Sequence, residues 1–342
     1  MLIGKRWHAV ALSSLVACIS MLFTSKGQGV LVYLNFPAFL WFGFDTPTQP
    51  HLGFPGLPHT SNHYISSTND VTLGLWYTQA SHVSSNKLVL YLHGNGEHRG
   101  MSVSVLKHGI YANPPFHADI LSVDYRGFGD STFTWPTEQG LYDDAHAAFN
   151  YAISTLGFAP HQVVVHGYSL GSAVASRLVY DLCQNSTCPA GLLLEAPFLS
   201  IQDIVSDYIL GMNVPSWLLN LHHRFPTKTI LGNIPIPTWI VHGSLDSVVP
   251  FRHGHTLATM FPHSTMGFCP VPGARHMTSF DFDEAQTCVM RTFWSNIWTQ
   301  CYRQTAMARF RRALLQETPY CAEASTNVYV LRHNQIALGI EY

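Results

Sequence analysis

Charged side chains are scarce in this sequence. Asp, Glu, Lys and Arg make up 11% of its 342 residues, against roughly 25% in an average soluble protein. The formal net charge is −2, and there is no basic patch of the kind that binds nucleic acid. Nucleic acid is therefore excluded as a partner. Few charges, together with an aromatic content of 13%, indicate a chain that contacts a membrane bilayer.

Metal-binding motifs are missing as well. The chain has 20 histidines, but the pair His253 and His255 is not accompanied by a His-Glu-x-x-His helix or a Cys/His cluster. We predict neither a metal ion nor another cofactor. Internal repeats and low-complexity linkers are also absent from the sequence, and the length suits one large α/β domain.

An uncharged run extends from Trp7 to Phe23, preceded by Lys5 and Arg6 and followed by Lys26. Its length is at the short limit for a membrane span, and a cleaved signal peptide is the alternative. Because no small-x-small cleavage site follows the run, we favour a signal anchor over residues 1–29. Since basic residues stay on the cytoplasmic side, the rest of the chain is expected in the lumen or outside the cell.

A second apolar run, from Val30 to Phe44, follows almost at once. Asn35 and Pro37 interrupt it and it is rich in aromatic side chains, which favours an interfacial segment over a second span. The Pro/His/Thr-rich stretch from Asp45 to His63 is typical of a loop. We assign residues 30–70 to this interfacial segment and linker.

The seven cysteines bear on the compartment. In an oxidising lumen some could pair, either Cys183 with Cys188 around a short polar loop or Cys301 with Cys321. Spacing leaves both the connectivity and the alternative of unpaired thiols open. The polar loop also holds Asn185, in the sequon Asn-Ser-Thr. In a lumenal domain Asn185 is a predicted glycosylation site, whereas in the cytosol the sequon has no meaning.

From Val71 onward, short β-rich runs alternate with helical patterns. The runs VTLGLWYTQ and KLVLYLHG predict a first antiparallel pair of strands. Nearly continuous apolar runs predict further, buried strands: ADILSVDYRG, HQVVVHGYS, AGLLLEAPF, PTWIVHGS and STMGFCPV. Helical patterns such as TEQGLYDDAHAAFNYAIST lie between them. This alternation predicts an α/β domain over residues 71–300, with a mostly parallel central sheet and helices on both faces.

Ser169 stands between two glycines, Gly167 and Gly171, where a predicted strand gives way to a helix. A sharp strand-to-helix turn needs small residues on both sides and exposes the serine at its apex. The N-terminus of the following helix favours an anion. The pattern Gly-x-Ser-x-Gly is weak alone, but in this context it predicts a nucleophile elbow.

An acid and a base follow Ser169 in the chain order typical of serine hydrolases on α/β sheets. Asp246 comes just past the strand PTWIVHGS, and His276 lies in the loop after STMGFCPV. Both are expected at the carboxyl edge of the sheet, where open α/β folds bind ligands. We predict that His276 takes the serine proton and that Asp246 orients the imidazole.

Other side chains compete for these roles. Glu195 and Asp124 also follow strands, but a structural hydrogen bond and a turn cap are the plainer interpretations. His242, His253 and His255 are worse bases, because they lie close in sequence to the predicted acid and on the wrong strand.

Backbone amides are expected to bind the oxyanion. One is the amide of Leu170, directly after the nucleophile, and the other should follow an early strand. The segment LYLHGNGEHRG fits this description, and the amide of Asn95 is the candidate. A glycine-rich turn without function is the alternative for this segment.

Six segments together resemble one family: LYLHGNGEHRG, SVDYRGFGDS, HGYSLGSAVASRL, LLLEAPF, IVHGSLDSVVPF and GARHMTSF. They are similar to the lysophospholipase and monoacylglycerol lipase branch of α/β-hydrolase-domain membrane proteins, the lysophosphatidylserine lipase group. The resemblance implies the α/β-hydrolase fold, a triad of Ser169, Asp246 and His276, and an oxyanion hole formed by Asn95 and Leu170. It also implies an integral protein of the endoplasmic reticulum membrane, with a lumenal catalytic domain that acts on single-chain glycerolipids.

Two further segments bear on this interpretation. Residues 200–235 precede the strand that carries the acid, and their apolar side chains, among them Met212, Trp217, Leu218 and Leu219, predict a cap over the serine that lines an acyl channel. An ordinary core helix is the alternative for that segment. The tail of residues 301–342 has no counterpart in the family, and Tyr168 stands where the family commonly has His.

We therefore predict a membrane-associated serine hydrolase that cleaves the acyl ester of lysophospholipids and monoacylglycerols. The alternatives are an acyl-protein thioesterase, a serine peptidase and a non-catalytic binding protein on the same fold. The N-terminal run contains one cysteine, Cys18, which disfavours the thioesterases with a Cys-rich N-terminus. The length leaves no room for a peptidase propeller, and a complete triad disfavours a protein that only binds.

Overall fold

The computed structural model describes residues 24–33, 57, 59–81, 85–208, 221–260 and 265–298. The strands are β1 (Thr60–Ser66), β2 (Thr72–Thr78), β3 (Leu88–Leu92), β4 (Asp119–Val123), β5 (Val163–Tyr168), β6 (Gly191–Glu195), β7 (Thr238–Gly243) and β8 (Thr265–Val271). They form one eight-stranded sheet in the order β1-β2-β4-β3-β5-β6-β7-β8.

The sheet is parallel from β4 to β8, as the apolar runs predict. The predicted antiparallel pairing of VTLGLWYTQ with KLVLYLHG is wrong. β2 lies antiparallel between β1 and β4, with Leu75 opposite Val123, whereas β3 lies between β4 and β5 and is parallel to both. All five residues of β3 are buried, which is the pattern of a central parallel strand and not of an antiparallel hairpin.

Helices connect the strands, with single turns of other types between them. The α-helices are α1 (Ser25–Tyr33), α2 (Ser102–Ala112), α3 (Glu138–Ser154), α4 (Leu170–Gln184), α5 (Ile201–Tyr208), α6 (Thr227–Ile230), α7 (Arg252–Met260) and α8 (Asp283–Cys288). Short 3₁₀ turns cover Pro160–Gln162, Leu231–Asn233 and His276–Thr278, and a π-helical turn covers Val289–Trp294.

Alternate side chains of β3 enter two different cores, because successive residues of a strand point to opposite faces of the sheet. Leu90 shares one core with Leu141 of α3 and Val174 of α4. Val89 shares the other with Tyr111 of α2. The predicted arrangement of helices on both faces is thereby confirmed.

The sheet begins earlier in the chain than the predicted domain start at residue 71. β1 lies within the segment 30–70, which we interpreted as interfacial segment and linker, and it pairs with β2 along its whole length. Most of its residues are partly or fully exposed, so an edge strand of this kind lacks the apolar signal of the inner strands. α1 crosses the predicted boundary between residues 29 and 30.

Several predicted segments lie outside the described residues: the anchor run of residues 7–23, residues 34–44 of the second apolar run, and the tail of residues 301–342. Within the part of the chain that the structure describes, no helix has the length and apolar character needed to cross a membrane.

The described residues contain two disulfides. Cys183–Cys188, one of the predicted pairs, closes the loop after α4, with 4.4 Å between the Cα atoms. Cys269–Cys288 ties β8 to α8, with 6.2 Å between the Cα atoms, and was not predicted. The alternative pair of Cys301 and Cys321 lies outside the described residues.

Candidate active site

Ser169 occupies the turn between β5 and α4. Its backbone has φ of 50° and ψ of −115°, a region that a residue with a side chain rarely adopts and that marks strained functional turns. A Cβ on Gly171 would collide with the carbonyl oxygen of Leu92, and a Cβ on Gly167 would collide with that of Gly171. Both glycines are needed because α4 starts against the end of β3. This is the geometry of the predicted nucleophile elbow.

The structure brings Ser169, His276 and Asp246 together at the carboxyl edge of the sheet. The Nε2 atom of His276 lies 3.0 Å from the Oγ atom of Ser169. The Nδ1 atom of His276 lies 2.7 Å from the Oδ2 atom of Asp246. Ser169 and Asp246 follow β5 and β7, and the 3₁₀ turn that begins at His276 follows β8. The imidazole can therefore accept the serine proton while the carboxylate holds its other nitrogen.

Asp246 is held by more than the imidazole. Its Oδ1 atom accepts hydrogen bonds from the amides of Val248, at 2.9 Å, and Val249, at 2.8 Å. Burial by itself would raise the pKa of Asp246, but hydrogen bonds from His242, His276 and the Val249 amide hold the pKa well below its ordinary value. The carboxylate is thus ionised at neutral pH.

His242, which the sequence disfavours as a base, contacts the predicted acid. It is fully buried in β7, and its Nε2 atom lies 2.9 Å from the carbonyl oxygen of Val249 and 3.3 Å from the Oδ2 atom of Asp246. The spacing of four residues between His242 and Asp246 is the signal that was available. The same closeness in sequence that disfavours His242 as a base allows it to contact Asp246.

The competing acids are engaged elsewhere. Glu195 is fully buried, with one carboxylate oxygen 2.9 Å from the Nζ atom of Lys107 and the other 3.1 Å from the amide nitrogen of Phe280. Burial would raise the pKa of Glu195, but the Lys107 ammonium and His166 lower it to about 2. Asp124 forms an ion pair with Arg99 and accepts the Arg99 amide at 2.6 Å. Both carboxylates therefore have structural partners.

The loop after β3 carries the predicted oxyanion amide. Its Gly94 amide donates to the Oε2 atom of Glu97 at 2.9 Å, and its Gly96 amide donates to the Tyr33 carbonyl of α1 at 2.9 Å. The amides of Asn95, which lies between these two, and of Leu170, the first residue of α4, donate to no other described residue. These two amides are therefore available as hydrogen-bond donors.

His253 and His255, the histidine pair on α7, make structural contacts. The Nε2 atom of His253 lies 2.7 Å from the Oδ2 atom of Asp207 in α5, and its Nδ1 atom accepts the Leu199 amide at 3.2 Å. His255 lies beside the ring of Phe251. Across the described segments, no group of three or more His, Cys, Asp or Glu side chains is placed to hold a metal ion.

The predicted cap is described in part. Helix α5 contacts the acid loop through its last residue, Tyr208, whose hydroxyl lies 3.0 Å from the carbonyl oxygen of Ser247 and 2.7 Å from that of Val248. The ion pair of Asp207 with Arg252 joins α5 to α7. The four apolar residues that suggested an acyl channel, Met212, Trp217, Leu218 and Leu219, lie outside the described residues.

The predicted glycosylation residue, Asn185, is the exposed C-cap of α4. Its side-chain amide donates to the carbonyl oxygen of Asp181 at 3.0 Å. It lies about 16 positions along the chain from the nucleophile, at the opposite end of the same helix, which spans roughly 1.5 Å per residue. A glycan there would be remote from Ser169.

Known proteins are similar to this chain in sequence and in fold. The lysophosphatidylserine lipase ABHD12 of Macaca fascicularis is 31% identical over 260 residues, which cover 67% of this chain and 62% of that protein. Protein ABHD12B of Homo sapiens is 33% identical over 258 residues, which cover 67% of this chain and 68% of that protein. The chain thus spans less than two thirds of the length of the Macaca protein.

Among solved structures, an alpha-beta hydrolase from Vibrio vulnificus superimposes with a TM-score of 0.62 at 22% identity, over 78% of this chain and 90% of that one. The esterase Pf2001 of Pyrococcus furiosus superimposes with a TM-score of 0.53 at 16% identity, over 69% of this chain and 91% of that one. These two show the fold alone. Residues 89–319 match the Alpha/beta hydrolase family, and the chain therefore belongs to that family.

Proposed function

We propose that this protein is a membrane-associated serine hydrolase that cleaves the acyl ester of single-chain glycerolipids, namely lysophospholipids and monoacylglycerols. One observation carries the hydrolase part: Ser169, His276 and Asp246 form a continuous hydrogen-bonded series. The similarity to proteins named lysophosphatidylserine lipase supports a lysophospholipid as substrate.

The geometry supports a two-step acyl transfer. The Nε2 atom of His276 removes the proton of Ser169 as the Oγ atom attacks the ester carbonyl carbon. The carbonyl oxygen becomes negative and accepts hydrogen bonds from the backbone N–H groups of Asn95 and Leu170. The ester C–O bond then breaks, and His276 returns the proton to the leaving glycerol oxygen. Water, activated by the same imidazole, hydrolyses the acyl-serine and releases the fatty acid.

Exposed apolar side chains flank the triad and support a lipid substrate. Leu245 is 59% exposed and Val248 is 49% exposed in the loop that carries Asp246, and Met277, next to His276, is 45% exposed. Apolar side chains grouped around a site mark contacts with apolar ligands or membranes. A lipid with one tail can place its ester at Ser169 without exposing a second tail, which would cost about 0.8 kcal/mol per CH₂ group.

The test is a lipid panel assayed with the full chain in detergent. We expect release of fatty acid from lysophosphatidylserine, other lysophospholipids and monoacylglycerol, and little from the matching two-tailed phospholipid. Ser169→Ala supplies the background rate for every lipid. Hydrolysis of an S-acylated peptide in preference to all glycerolipids would contradict this substrate class and favour a protein thioesterase.

The orientation in the membrane is a second part of the proposal. We propose that residues 1–29 anchor the chain in the endoplasmic reticulum membrane and that the catalytic domain is lumenal. Lys5 and Arg6 before the uncharged run support this orientation. The Cys183–Cys188 disulfide and the exposed Asn185 between these cysteines agree with an oxidising lumen.

Expression in microsomes tests the orientation. We expect N-glycosidase to reduce the apparent mass of the wild type but not of Asn185→Gln, because the sequon is reached only in the lumen. The protein should also resist carbonate extraction. An unmodified Asn185 together with protease cleavage from the cytosolic side would reverse the orientation, and release by carbonate would favour a cleaved signal peptide.

A further inference from the structure

The loop that carries the predicted oxyanion amide is fastened on both sides of that amide. On one side the Gly94 amide donates to the Glu97 carboxylate, and on the other the Gly96 amide donates to the Tyr33 carbonyl, each at 2.9 Å. The Asn95 amide between them donates to no described residue. Two fixed peptide groups therefore set the direction of a free donor.

The Glu97 side chain lies inside the protein, against the elbow. It is 5% exposed. A Cβ on Gly94 would lie 3.0 Å from the ring of Tyr168 and 3.2 Å from the Oε2 atom of Glu97, so Gly94 fits tightly between the two. Tyr168 precedes the nucleophile, and its hydroxyl donates to the His276 carbonyl oxygen at 3.2 Å. Glu97 thus belongs to a packed unit that joins the loop to the elbow and to the catalytic histidine.

We propose that Glu97 is a positioning residue for the oxyanion site. Its carboxylate holds the Gly94 amide and thereby aims the next amide, that of Asn95, at the substrate oxygen that becomes negative. This inference rests on the proposed function to the extent that ester hydrolysis at Ser169 needs an oxyanion site. A donor displaced by a fraction of an ångström stabilises the oxyanion less, since such sites depend on pre-arranged donors.

The protonation state of Glu97 changes the strength of its hydrogen bond with the Gly94 amide. The ionisable groups that face it are Lys107, Glu195, Tyr91, Tyr125 and Tyr168. Burial raises the pKa of the carboxyl to about 7, against the opposing effects of the Gly94 hydrogen bond and the Lys107 ammonium. A charged acceptor binds an N–H group roughly twice as strongly as a neutral one. The hydrogen bond between Gly94 and Glu97 is therefore strong at pH 8 and weak at pH 6.

Stability has the opposite pH dependence. The folded protein holds the Glu97 proton up to a pKa of about 7, whereas the ordinary value is 4.5. The stabilisation from this group is thus complete below the ordinary pKa and is lost as the pH rises through the folded value. The ionised carboxylate that anchors Gly94 best is the form that burial disfavours.

The experiment compares the wild type with Glu97→Gln, which keeps the shape and a neutral acceptor oxygen at every pH. A soluble p-nitrophenyl ester is hydrolysed by the full chain in detergent between pH 5.5 and 8.5, and kcat, KM and Tm are measured. We expect the ratio of the wild-type kcat to the Glu97→Gln kcat to be about one at the acidic end of this range. The ratio should rise to about ten at the alkaline end, with a midpoint near pH 7. A pH dependence that is common to both proteins cancels in this ratio.

Two further readouts separate positioning from simple support of the fold. KM should differ by less than about twofold, and Glu97→Gln should have the higher Tm at pH 8.5 although it is the slower enzyme. Glu284→Gln on α8, an exposed position, is the matched control and should follow the wild type throughout.

A kcat ratio that stays constant with pH, or a loss confined to KM, would overturn the inference while leaving the esterase intact. A wild type no faster than Ser169→Ala would overturn the proposed function and this inference with it.

Discussion

Ser169→Ala is expected to lower kcat for ester hydrolysis by a factor on the order of 10⁶, the loss seen when a triad acts as a unit. The Oγ atom is the group that bonds to the acyl carbon, and it lies 3.0 Å from the imidazole nitrogen that takes its proton. Alanine removes that atom and leaves the free amides and the binding surface in place. The residual rate should therefore remain above that of the uncatalysed reaction.

The control for Ser169→Ala is the same substitution at a serine that lies outside the site. Ser154, exposed at the end of α3, donates to the carbonyl oxygen of Asn150 at 2.7 Å, and Ser154→Ala should keep wild-type kcat and KM. The measurement is the initial rate on a short p-nitrophenyl ester and on a long-chain monoacylglycerol. Wild-type rates in the Ser169→Ala protein would end the assignment of the nucleophile.

Asp246→Asn is expected to lower kcat by about 10⁴-fold with little change in fold, as the equivalent change does in a serine protease triad. The amides of Val248 and Val249 point at Oδ1, so asparagine keeps its carbonyl oxygen there and directs its NH₂ group at His276. An NH₂ group facing Nδ1 favours the tautomer with the proton on Nε2. That tautomer cannot accept the proton of Ser169.

The rival acid supplies the control for this second prediction. Glu195→Gln breaks the buried pair with Lys107 and should lower the free energy of unfolding by roughly 3–5 kcal/mol. The kcat of the folded fraction should stay near that of the wild type. Both proteins are compared by kcat on the short ester and by urea unfolding. If Glu195→Gln lost the activity and Asp246→Asn kept it, the acid of the triad would be Glu195.

The part of the site that depends on chain order was predictable. Ser169, Asp246 and His276 each follow a strongly apolar run, and parallel strands bring their carboxyl ends to one edge. Residue type and chain position therefore identify the three side chains that hydrogen bonds join in the structure. The same reasoning identified the parallel part of the sheet and the helices on both faces.

The missed features share a physical reason, since they depend on contacts that leave no pattern in the sequence. Tyr33 acts on Gly96 through a backbone carbonyl, which every residue possesses. In the sequence, Glu97 is one polar residue in a glycine-rich turn, and only the structure shows that it is buried. β1 is an edge strand of mostly polar residues, so its composition resembles that of a loop. Cys269 and Cys288 pair only because β8 and α8 pack together.

The bond between Gly96 and Tyr33 has a practical consequence for preparing a soluble enzyme. A fragment cut just before β1 would retain the whole sheet and all three triad residues. It would nevertheless lose α1, whose Tyr33 hydroxyl also lies 2.9 Å from the Nδ1 atom of His223. With α1 it would lose the hydrogen bond from Gly96 to the Tyr33 carbonyl, one of the two that hold the loop after β3. The shortest useful fragment therefore begins at about Thr24, directly after the hydrophobic run, because α1 holds the loop that follows β3.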